Sequence, residues 1–302
     1  MCTFRQTATS ANAHHSNDMI LDHSLPLAPD WLVGLWRRDS ITLSDGAVDR
    51  TTRVFWAQTK TLYVDIRLPA DRPNLGGVKS LSQLKLDDAL CLSGQQGFAG
   101  HIVVDDSTCT WIRTIDYQPE TGRPDTGCLR LDGDLLRETG NASSAIGSDY
   151  EEVYYRELRG DGLRAAFRLV GAEDRDFGGE AAQGAILVIL DDRFLFARPR
   201  PIPLPRANRL RDLIDAAGDD SAIIHAYLDC EVAMGSIVKP RPWTIHLSTV
   251  PLREGGRLFA PAHVTIDDHT NSLHLASSRG TSQWHIAESI VPLGALAAVF
   301  ET

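Results

Sequence analysis

The run TTRVFWAQTKTLYVDIRLP, residues 51–69, decides the fold class of this chain. Its second half alternates completely: one face carries Leu62, Val64, Ile66 and Leu68, and the other carries Tyr63, Asp65 and Arg67. Successive side chains of a β-strand point to opposite faces of the sheet, so a period of two predicts a strand. The first half alternates through Val54, Trp56 and Gln58, and only Lys60 and its neighbours separate the two halves. We therefore predict an antiparallel hairpin.

Similar alternation recurs over the rest of the chain. About a dozen strand-like runs follow one another at intervals of roughly eight to fifteen residues, which is typical of a closed barrel or a sandwich. Amphipathic stretches at residues 81–92 and 209–217 predict one or two short helices. Four prolines within residues 199–208 exclude a central strand there. Residues 221–236 suit a helix or a strand, and we favour a strand.

The composition bounds the function classes. The chain has 302 residues and a net charge of −10, from 40 acidic and 30 basic side chains. Binding to nucleic acid and to anionic membranes depends on Lys and Arg, so this balance predicts neither partner. The five cysteines include no C-x-x-C pair, and the chain shows no secretory signal and no long apolar run. We therefore predict a cytoplasmic protein.

A second motif, Gly34-Leu35-Trp36, stands just before the first strand. This G-x-W segment, followed by a meander of antiparallel strands, resembles the opening of the lipocalins and the wider calycins. The resemblance implies a barrel whose tryptophan packs across the closed end beneath a later arginine. It also implies a cup that holds a small, often apolar ligand. A chain of 302 residues is longer than one such barrel.

These observations give one prediction of architecture. We predict a mainly β protein with an antiparallel lipocalin-like (calycin) barrel, enlarged or doubled, and one or two short helices. Residues 1–28 form a flexible tail and residues 29–200 form the calycin-like barrel. Residues 201–302 form a β-rich half that is either a second barrel-like unit or the completion of the first. Assembly as a homodimer is left open.

The candidate site is a set of ionisable and aromatic side chains at alternate strand positions. The chain carries no P-loop, dinucleotide fingerprint, nucleophile elbow or metalloprotease motif, so we predict neither a cofactor nor a metal. The predicted catalytic residues are Asp65, Arg67, Arg113, Glu152 and Tyr154. The predicted substrate-binding residues are Trp56, Gln58, Tyr63 and Trp111. A second grouping is His225, Tyr227 and Asp229, which share a face if their segment is a strand.

In the leading hypothesis the protein is a cofactor-independent enzyme of lyase, isomerase or hydratase type that acts on a small, partly apolar molecule. Asp65 or Glu152 is the acid or base, because burial or an arginine partner shifts the pKa of a carboxyl group. Arg67 or Arg113 holds negative charge. The two tryptophans of the set stack on the substrate.

Two other hypotheses remain. Alternation does not say which face is the core, so Tyr63, Asp65 and Arg67 equally suit the solvent face of a half-exposed strand. In that case the protein is a non-catalytic small-ligand carrier of the lipocalin type, with a largely apolar pocket. If side chains fill the barrel completely, the protein is a structural or interaction module.

Overall fold

The computed structural model describes residues 19–141, 147–173 and 182–301. Most of the predicted tail, residues 1–18, lies outside the described residues. The rest of that tail includes a two-residue strand, β1 (Ile20–Leu21), which pairs with a strand near the C-terminus. The described part of the tail is therefore attached to the fold.

The N-terminal half forms one antiparallel sheet that closes on itself. Its strands are β2 (Gly34–Leu43), β3 (Val48–Asp49), β4 (Arg53–Gln58), β5 (Tyr63–Leu68), β6 (Gln96–Asp105), β7 (Thr108–Asp116), β8 (Asp125–Asp132), β9 (Leu135–Gly140) and β10 (Tyr150–Leu158). Because β2 pairs with both β4 and β10, eight strands make a closed barrel, and the short β3 extends from β2. Closure removes the unpaired edges that an open sheet exposes. The predicted antiparallel barrel and the predicted hairpin, β4 with β5, are confirmed.

The second sheet repeats the antiparallel meander with eight strands. They are β11 (Arg164–Ala172), β12 (Ile186–Leu190), β13 (Arg193–Arg198), β14 (Glu231–Ser236), β15 (Thr244–Ser248), β16 (Ala262–Asp267), β17 (Ser272–Ser277) and β18 (Gly280–Ser289). β11 pairs with both β12 and β18, and β1 adds to β18. The order ends at β15 on one side and β16 on the other, and these two do not pair within the described ranges.

Along the chain, the first sheet ends with β10 and the second begins with β11, so the boundary between them lies near residue 160. We predicted one barrel over residues 29–200, but β11, β12 and β13 pair in the second sheet. The proline-rich run at residues 199–208 lies between β13 and β14, which are neighbours in that sheet. The proline-rich run therefore belongs to a connection within the second sheet and does not mark the boundary between the two sheets.

In the part of the chain that the structure describes, four short α-helices accompany the sheets, more than the one or two predicted. They are α1 (Leu86–Leu92), α2 (Leu210–Ala217), α3 (Ser221–Leu228) and α4 (Leu293–Phe300). No helix in the described part of the chain has the length and apolar character needed to cross a membrane. The C-terminal α4 lies against β16 and carries Phe300 into the interior of the second sheet.

Of residues 221–236, for which we favoured a strand, Glu231–Ser236 is the strand β14, but Ser221–Leu228 forms the helix α3. Its N-terminus is capped by Asp220, whose carboxylate accepts hydrogen bonds from two backbone N–H groups of the first turn. Two residues apart on a helix, His225 and Tyr227 point in different directions. Asp229 follows the helix and accepts a hydrogen bond from Arg198 at 2.5 Å. The second grouping of candidate residues therefore does not share a face.

The sheets pack together through the outer face of β5, which we call the seam. Val64, Ile66 and Leu68 are fully buried there, in one apolar cluster with side chains of the second sheet that include Val188 and Leu195. The other face of β5 points into the first barrel. Both faces of this strand are thus buried, which is why its alternation alone did not identify the core.

A buried carboxylate fixes the seam beside this cluster. Glu288 of β18 is fully buried, and its Oε2 accepts hydrogen bonds from the backbone N–H groups of Lys60 at 2.7 Å and Thr61 at 3.2 Å. Its Oε1 accepts from Nε of Arg164 at 2.6 Å. Hydrogen bonds to an ionised group are stronger than neutral ones, so Glu288 ties the hairpin turn of the first barrel to the second sheet.

Candidate functional site

The closed end of the first barrel has the geometry that the G-x-W motif implied. Trp36 is fully buried, and its indole Nε1 donates to the carbonyl of Leu32 at 2.8 Å. The guanidinium carbon of Arg156 lies 4.4 Å from the Trp36 ring centre, a cation–π contact. Gly34 has a φ of 146°, and a Cβ there would lie 2.6 Å from the carbonyl oxygen of Leu158. The motif therefore requires glycine at this position.

The opposite end, which we call the mouth, gathers ionisable side chains. The mouth cluster consists of Arg38, Asp65, Arg67, Trp111, Arg113, Asp125, Glu138, Tyr150 and Glu152. Asp65 and Arg67 lie on the face of β5 that points inward with Tyr63, while Val64 and Ile66 point outward to the seam. The solvent-facing arrangement that we considered for β5 is therefore not the one found.

Arg67 makes the central contacts of the mouth cluster. Its Nε and Nη2 donate to the two carboxylate oxygens of Asp65 at 2.9 and 3.2 Å. Its Nη1 donates to Glu152 at 3.2 Å, and Nη2 also reaches the hydroxyl of Tyr154 at 3.4 Å. Burial raises the pKa of Asp65, against the lowering effect of the Arg67 charge. Four of the predicted catalytic residues thus form one buried network.

The fifth predicted catalytic residue, Arg113, lies beside this network at the rim. Its guanidinium carbon is 3.6 Å from the ring centre of Phe98. Nε and Nη2 donate to Asp125 at 2.9 and 2.5 Å, and Nη1 donates to Asp116 at 2.8 Å. Burial lowers the pKa of Arg113, but the two carboxylates outweigh it and raise the pKa above its ordinary value. The guanidinium therefore stays charged, and a quarter of the side chain is exposed.

A pair of carboxyl groups lies across the mouth from Asp65. Glu138 of β9 and Glu152 of β10 are direct partners in the antiparallel register, so their side chains share the inner face. Glu152 accepts hydrogen bonds from Arg38 and Arg67. Burial raises the pKa of Glu152, but the charges of Arg67 and Arg38 outweigh it and leave the pKa below its ordinary value. Glu152 is therefore ionised.

Glu138 has the opposite electrostatic character. It accepts a hydrogen bond from the hydroxyl of Tyr150 at 2.7 Å. Burial, reinforced by the negative charge of Glu152, raises the pKa of Glu138 from 4.5 to about 8. Glu138 is therefore the member of the pair that takes up a proton first as the pH falls.

The predicted aromatic residues divide between the interior and the mouth. Trp56 packs edge-to-face on Trp111 and Tyr154, with ring centres 5.6 and 6.1 Å apart. Gln58 lies deeper, where its Oε1 accepts from the Trp56 indole at 3.2 Å and its Nε2 donates to the carbonyl of Thr59 at 2.8 Å. Trp56 and Gln58 are essentially unexposed, and Trp111 is 7% exposed. Trp111 is therefore the most exposed of the predicted aromatic residues.

Tyr63, also predicted to bind substrate, carries one of the buried polar atoms that lack a hydrogen-bond partner among the described residues. Its ring packs edge-to-face on Phe98, with the centres 6.2 Å apart. The side chain is fully buried, and its hydroxyl has no hydrogen-bond partner among the described residues. Burial raises the pKa of Tyr63, so the hydroxyl is neutral. A buried hydroxyl without a partner costs free energy, so Tyr63 marks a position where a ligand atom would be stabilising.

Four members of the mouth cluster were missed by sequence reasoning: Arg38, Asp125, Glu138 and Tyr150. A signal existed for two of them. Arg38 stands two positions after Trp36, and Glu138 stands two positions after the buried Leu136, so each shares a strand face with a core residue. Their grouping depends on which strands pair, and that information is not contained in local periodicity.

Two open clefts, each lined in part by Pro69, include no strand residue of the inner face of the barrel. One has a volume of about 410 Å³ and is lined by residues including Arg53, Arg72 and Pro251. Arg72 is engaged there, because it donates to Glu254 at 2.9 Å and to the carbonyl of Ser248 at 2.9 Å. The other, of about 360 Å³, includes Cys91. Neither of these two clefts includes a residue of the mouth cluster.

The closed eight-stranded meander, with a tryptophan beneath an arginine at one end, defines a lipocalin-like barrel. A solved structure of a lipocalin-like protein from Bacteroides uniformis is similar at 15% identity, covers 42% of this chain and 99% of its own, and has a TM-score of 0.27. An uncharacterized protein from Bacteroides eggerthii is similar at 14% identity, covers 41% of this chain and 98% of its own, and has a TM-score of 0.26. No protein-family model and no curated protein matches the chain. The fold assignment therefore rests on the strand pairing itself.

Proposed function

We propose that the first barrel binds a small polar molecule at its mouth. The observation that supports this proposal is the network of Arg67, Asp65 and Glu152 on the inner face of the barrel. Removing charges from water is costly, and replacing a buried ion pair by apolar side chains is often neutral or stabilising. A barrel that needed only stability has no physical reason to keep this network, whereas a binding site does.

The ligand lies at the mouth rather than deep in the barrel. Below the mouth cluster, Trp36, Trp56 and Tyr154 fill the interior and are essentially unexposed. At the mouth, Arg67 and Arg113 retain 14% and 25% exposure of their side chains. The carrier hypothesis placed Tyr63, Asp65 and Arg67 outside a largely apolar pocket, and their inward orientation argues against a carrier of wholly apolar molecules.

The experiment is a fluorine NMR screen of the protein labelled with 5-fluorotryptophan, against fragments that include cations, anions and neutral molecules. We expect binding fragments to shift the Trp111 resonance, assigned with Trp111→Phe, and to leave Trp284 in the second sheet unchanged. Tyr150→Phe should weaken the binding of those fragments. Arg137→Gln, on the exposed face of β9, should leave their binding unchanged. A screen in which no fragment moves Trp111 would refute the proposal.

A second candidate function is proton transfer, and the carboxyl pair favours it. Two interacting carboxyl groups whose pKa values move apart are the usual arrangement of an acid and a base. Here Glu138, with a pKa of about 8, takes the role that we predicted for Asp65 or Glu152. Asp65 and Glu152 instead hold Arg67, which would stabilise negative charge on the substrate.

This candidate is tested by exchange of the α-protons of small ketones in deuterated water. Glu138, once ionised, would take a proton from carbon, and a deuteron from solvent would return to the enolate. We expect exchange to rise with pH through about 8 and then level, and to be lost in Glu138→Gln. Arg137→Gln is the matched control and should keep full activity. Exchange that persists in Glu138→Gln excludes this function and leaves binding intact.

A further inference from the structure

We propose that the larger of the two open clefts, which we call the seam cleft, is a second binding site, for a small organic anion such as a carboxylate. The seam cleft has a volume of about 410 Å³, and Arg53, Arg72, Leu75 and Leu252 are among the residues that line it. It includes no residue of the mouth cluster. The inference is therefore independent of the proposed function of the mouth.

Both halves of the chain build the seam cleft. The first barrel contributes Arg53, which begins β4, and part of the loop 69–76 that follows β5. The second sheet contributes residues within 251–254, which follow β15. Arg53 is the register partner of Leu68, and Leu68 is buried in the apolar cluster of the seam. Directly opposite residues of an antiparallel pair share a face, so the cleft begins where the buried part of the seam ends.

Arg53 supplies the seam cleft with a positive charge. Its side chain is exposed and has no hydrogen-bond or ion-pair partner among the described residues. The charged residues that line the cleft are two arginines, Arg53 and Arg72, and one glutamate, Glu254, so one positive charge is in excess there. The nearby Asp71 lines the other cleft. In a chain with a net charge of −10, this cleft is a place where Coulomb attraction favours an anion.

Arg72 supplies a second guanidinium, which is already held in place. Its Nη1 donates to Glu254 at 2.9 Å and its Nη2 donates to the carbonyl of Ser248 at 2.9 Å, so this side chain joins the two halves of the chain. Glu254 is held in turn, because its Oε1 also accepts from the backbone N–H of Ser248 at 3.0 Å. The Nε of Arg72 is buried and has no hydrogen-bond partner among the described residues. A group that is fixed before binding loses little conformational freedom when a ligand arrives.

Apolar side chains beside the two arginines define the rest of the ligand. Leu75 and Leu252 are half-buried and pack against the seam cluster, and Pro69, Pro73 and Pro251 line the same cleft. A planar guanidinium matches the two oxygens of a carboxylate, and apolar walls favour a hydrocarbon body. The volume of the cleft falls within the range of about 300–1,000 Å³ that is usual for small-molecule pockets. The favoured ligand is therefore a small carboxylate with an apolar body.

The test uses three probes of similar shape and different charge: benzoate, benzyl alcohol and benzylammonium. Binding is followed by NMR of the protein with labelled leucine methyl groups. Leu75 and Leu252, assigned with Leu75→Met and Leu252→Met, report on the seam cleft, and Leu136 reports on the interior of the first barrel. We expect benzoate to shift both cleft leucines and to bind there about tenfold more tightly than either of the other probes.

Variants of Arg53 test the group that recognises the anion. Arg53→Gln should weaken benzoate binding at the cleft about tenfold, because a charged hydrogen-bond donor is lost. Arg53→Lys keeps the charge and should bind benzoate more tightly than Arg53→Gln does. The matched control is Arg130→Gln on β8. Arg130 is also exposed without a partner among the described residues, but it does not line the cleft, so this variant should bind benzoate as the parent protein does.

Each of the other outcomes overturns the inference. If benzyl alcohol or benzylammonium binds at the cleft leucines as tightly as benzoate, the cleft does not select an anion. If Arg53→Gln binds benzoate as tightly as the parent protein, Arg53 does not recognise it. If benzoate moves Leu136 and neither cleft leucine, the anion binds inside the first barrel and the seam cleft is not its site. If benzoate moves none of the three leucines, the seam cleft is not a binding site for this class of ligand.

Discussion

The interiors of the two sheets differ although both are antiparallel meanders of eight strands. In the first barrel, Arg67 lies inside with Asp65 and Glu152. In the second sheet, the middle of the core is a set of aromatic rings, with Phe300 of α4 stacked on Trp243 at 4.9 Å between ring centres. Buried charges occur in the second sheet as well, but they lie at strand ends: Arg198 ends β13 and Glu231 begins β14.

This difference separates what the fold needs from what a site needs. The second sheet shows that this chain can cover a meander with rings and a helix. The charges on the inner face of the first barrel are therefore not a requirement of the topology. Residues that do not follow the simplest way of stabilising a fold are expected at functional sites.

Removing Arg67 should cause the largest loss of stability. In Arg67→Ala, Asp65 and Glu152 lose a buried partner, and an uncompensated buried charge costs about 3–5 kcal/mol. Urea unfolding measures the loss. The matched control is Arg137→Ala, which breaks an exposed pair with Glu151 and should cost less than about 1 kcal/mol. Equal costs for the two variants would mean that the inner network contributes nothing special.

In the second sheet, the largest single effect should come from a cavity rather than from a charge. Phe300→Ala removes a ring that contacts Phe167, Trp243 and Phe259, and should destabilise the protein by about 3 kcal/mol. The loss should be the same at pH 5 and pH 9, because the described ring contacts of Phe300 are with Phe167, Trp243 and Phe259, which do not titrate. A pH-dependent loss in urea unfolding would contradict the contrast between the two interiors.

An apolar replacement would make the first barrel resemble the second sheet. The fourfold variant Arg38→Met, Asp65→Leu, Arg67→Met and Glu152→Leu should retain stability or gain about 1–4 kcal/mol, because it removes the desolvation cost of the whole network. It should lose all fragment binding at Trp111. A stable variant that still binds fragments there would refute the role of the network, and an unfolded one would show that the network is needed for folding.

The smallest effect is a change of slope with pH. Because folding raises the pKa of Glu138 from 4.5 to about 8, the folded protein keeps a proton that the unfolded chain loses. Stability from Glu138 is complete below about pH 4.5, declines as the pH rises, and is lost above about pH 8. Glu138→Gln removes this decline, so its stability relative to the parent should rise as the pH increases from 5 to 8 and then level. Glu151→Gln, exposed on β10, should show no such gain.

Local periodicity predicted the strands and part of the site. The alternation through residues 51–69 identified the hairpin and placed Asp65 and Arg67 on one face, because period two is a property of the strand backbone. Glu138 was missed because its importance comes from standing opposite Glu152, which is a matter of register. Register depends on turns and partner strands that no single segment specifies.

The helix at residues 221–228 shows a different limit. SAIIHAYL has apolar residues on most sides, so it offers neither the stripe of a surface helix nor the alternation of a half-buried strand. The decisive signal was Asp220, a capping residue placed just before the first turn. The boundary between the sheets was missed for a similar reason, since the conspicuous prolines connect two strands that are neighbours.

The double burial of β5 has a consequence for how this protein changes over generations. Tyr63, Asp65 and Arg67 are constrained by the contents of the first barrel, and Val64, Ile66 and Leu68 are constrained by the second sheet. No position of this strand can be substituted freely, because each side chain is packed against either the barrel interior or the second sheet. Among descendants of this chain, β5 should be the slowest segment to diverge, and a change on its outer face should survive only with a compensating change in β12 or β13.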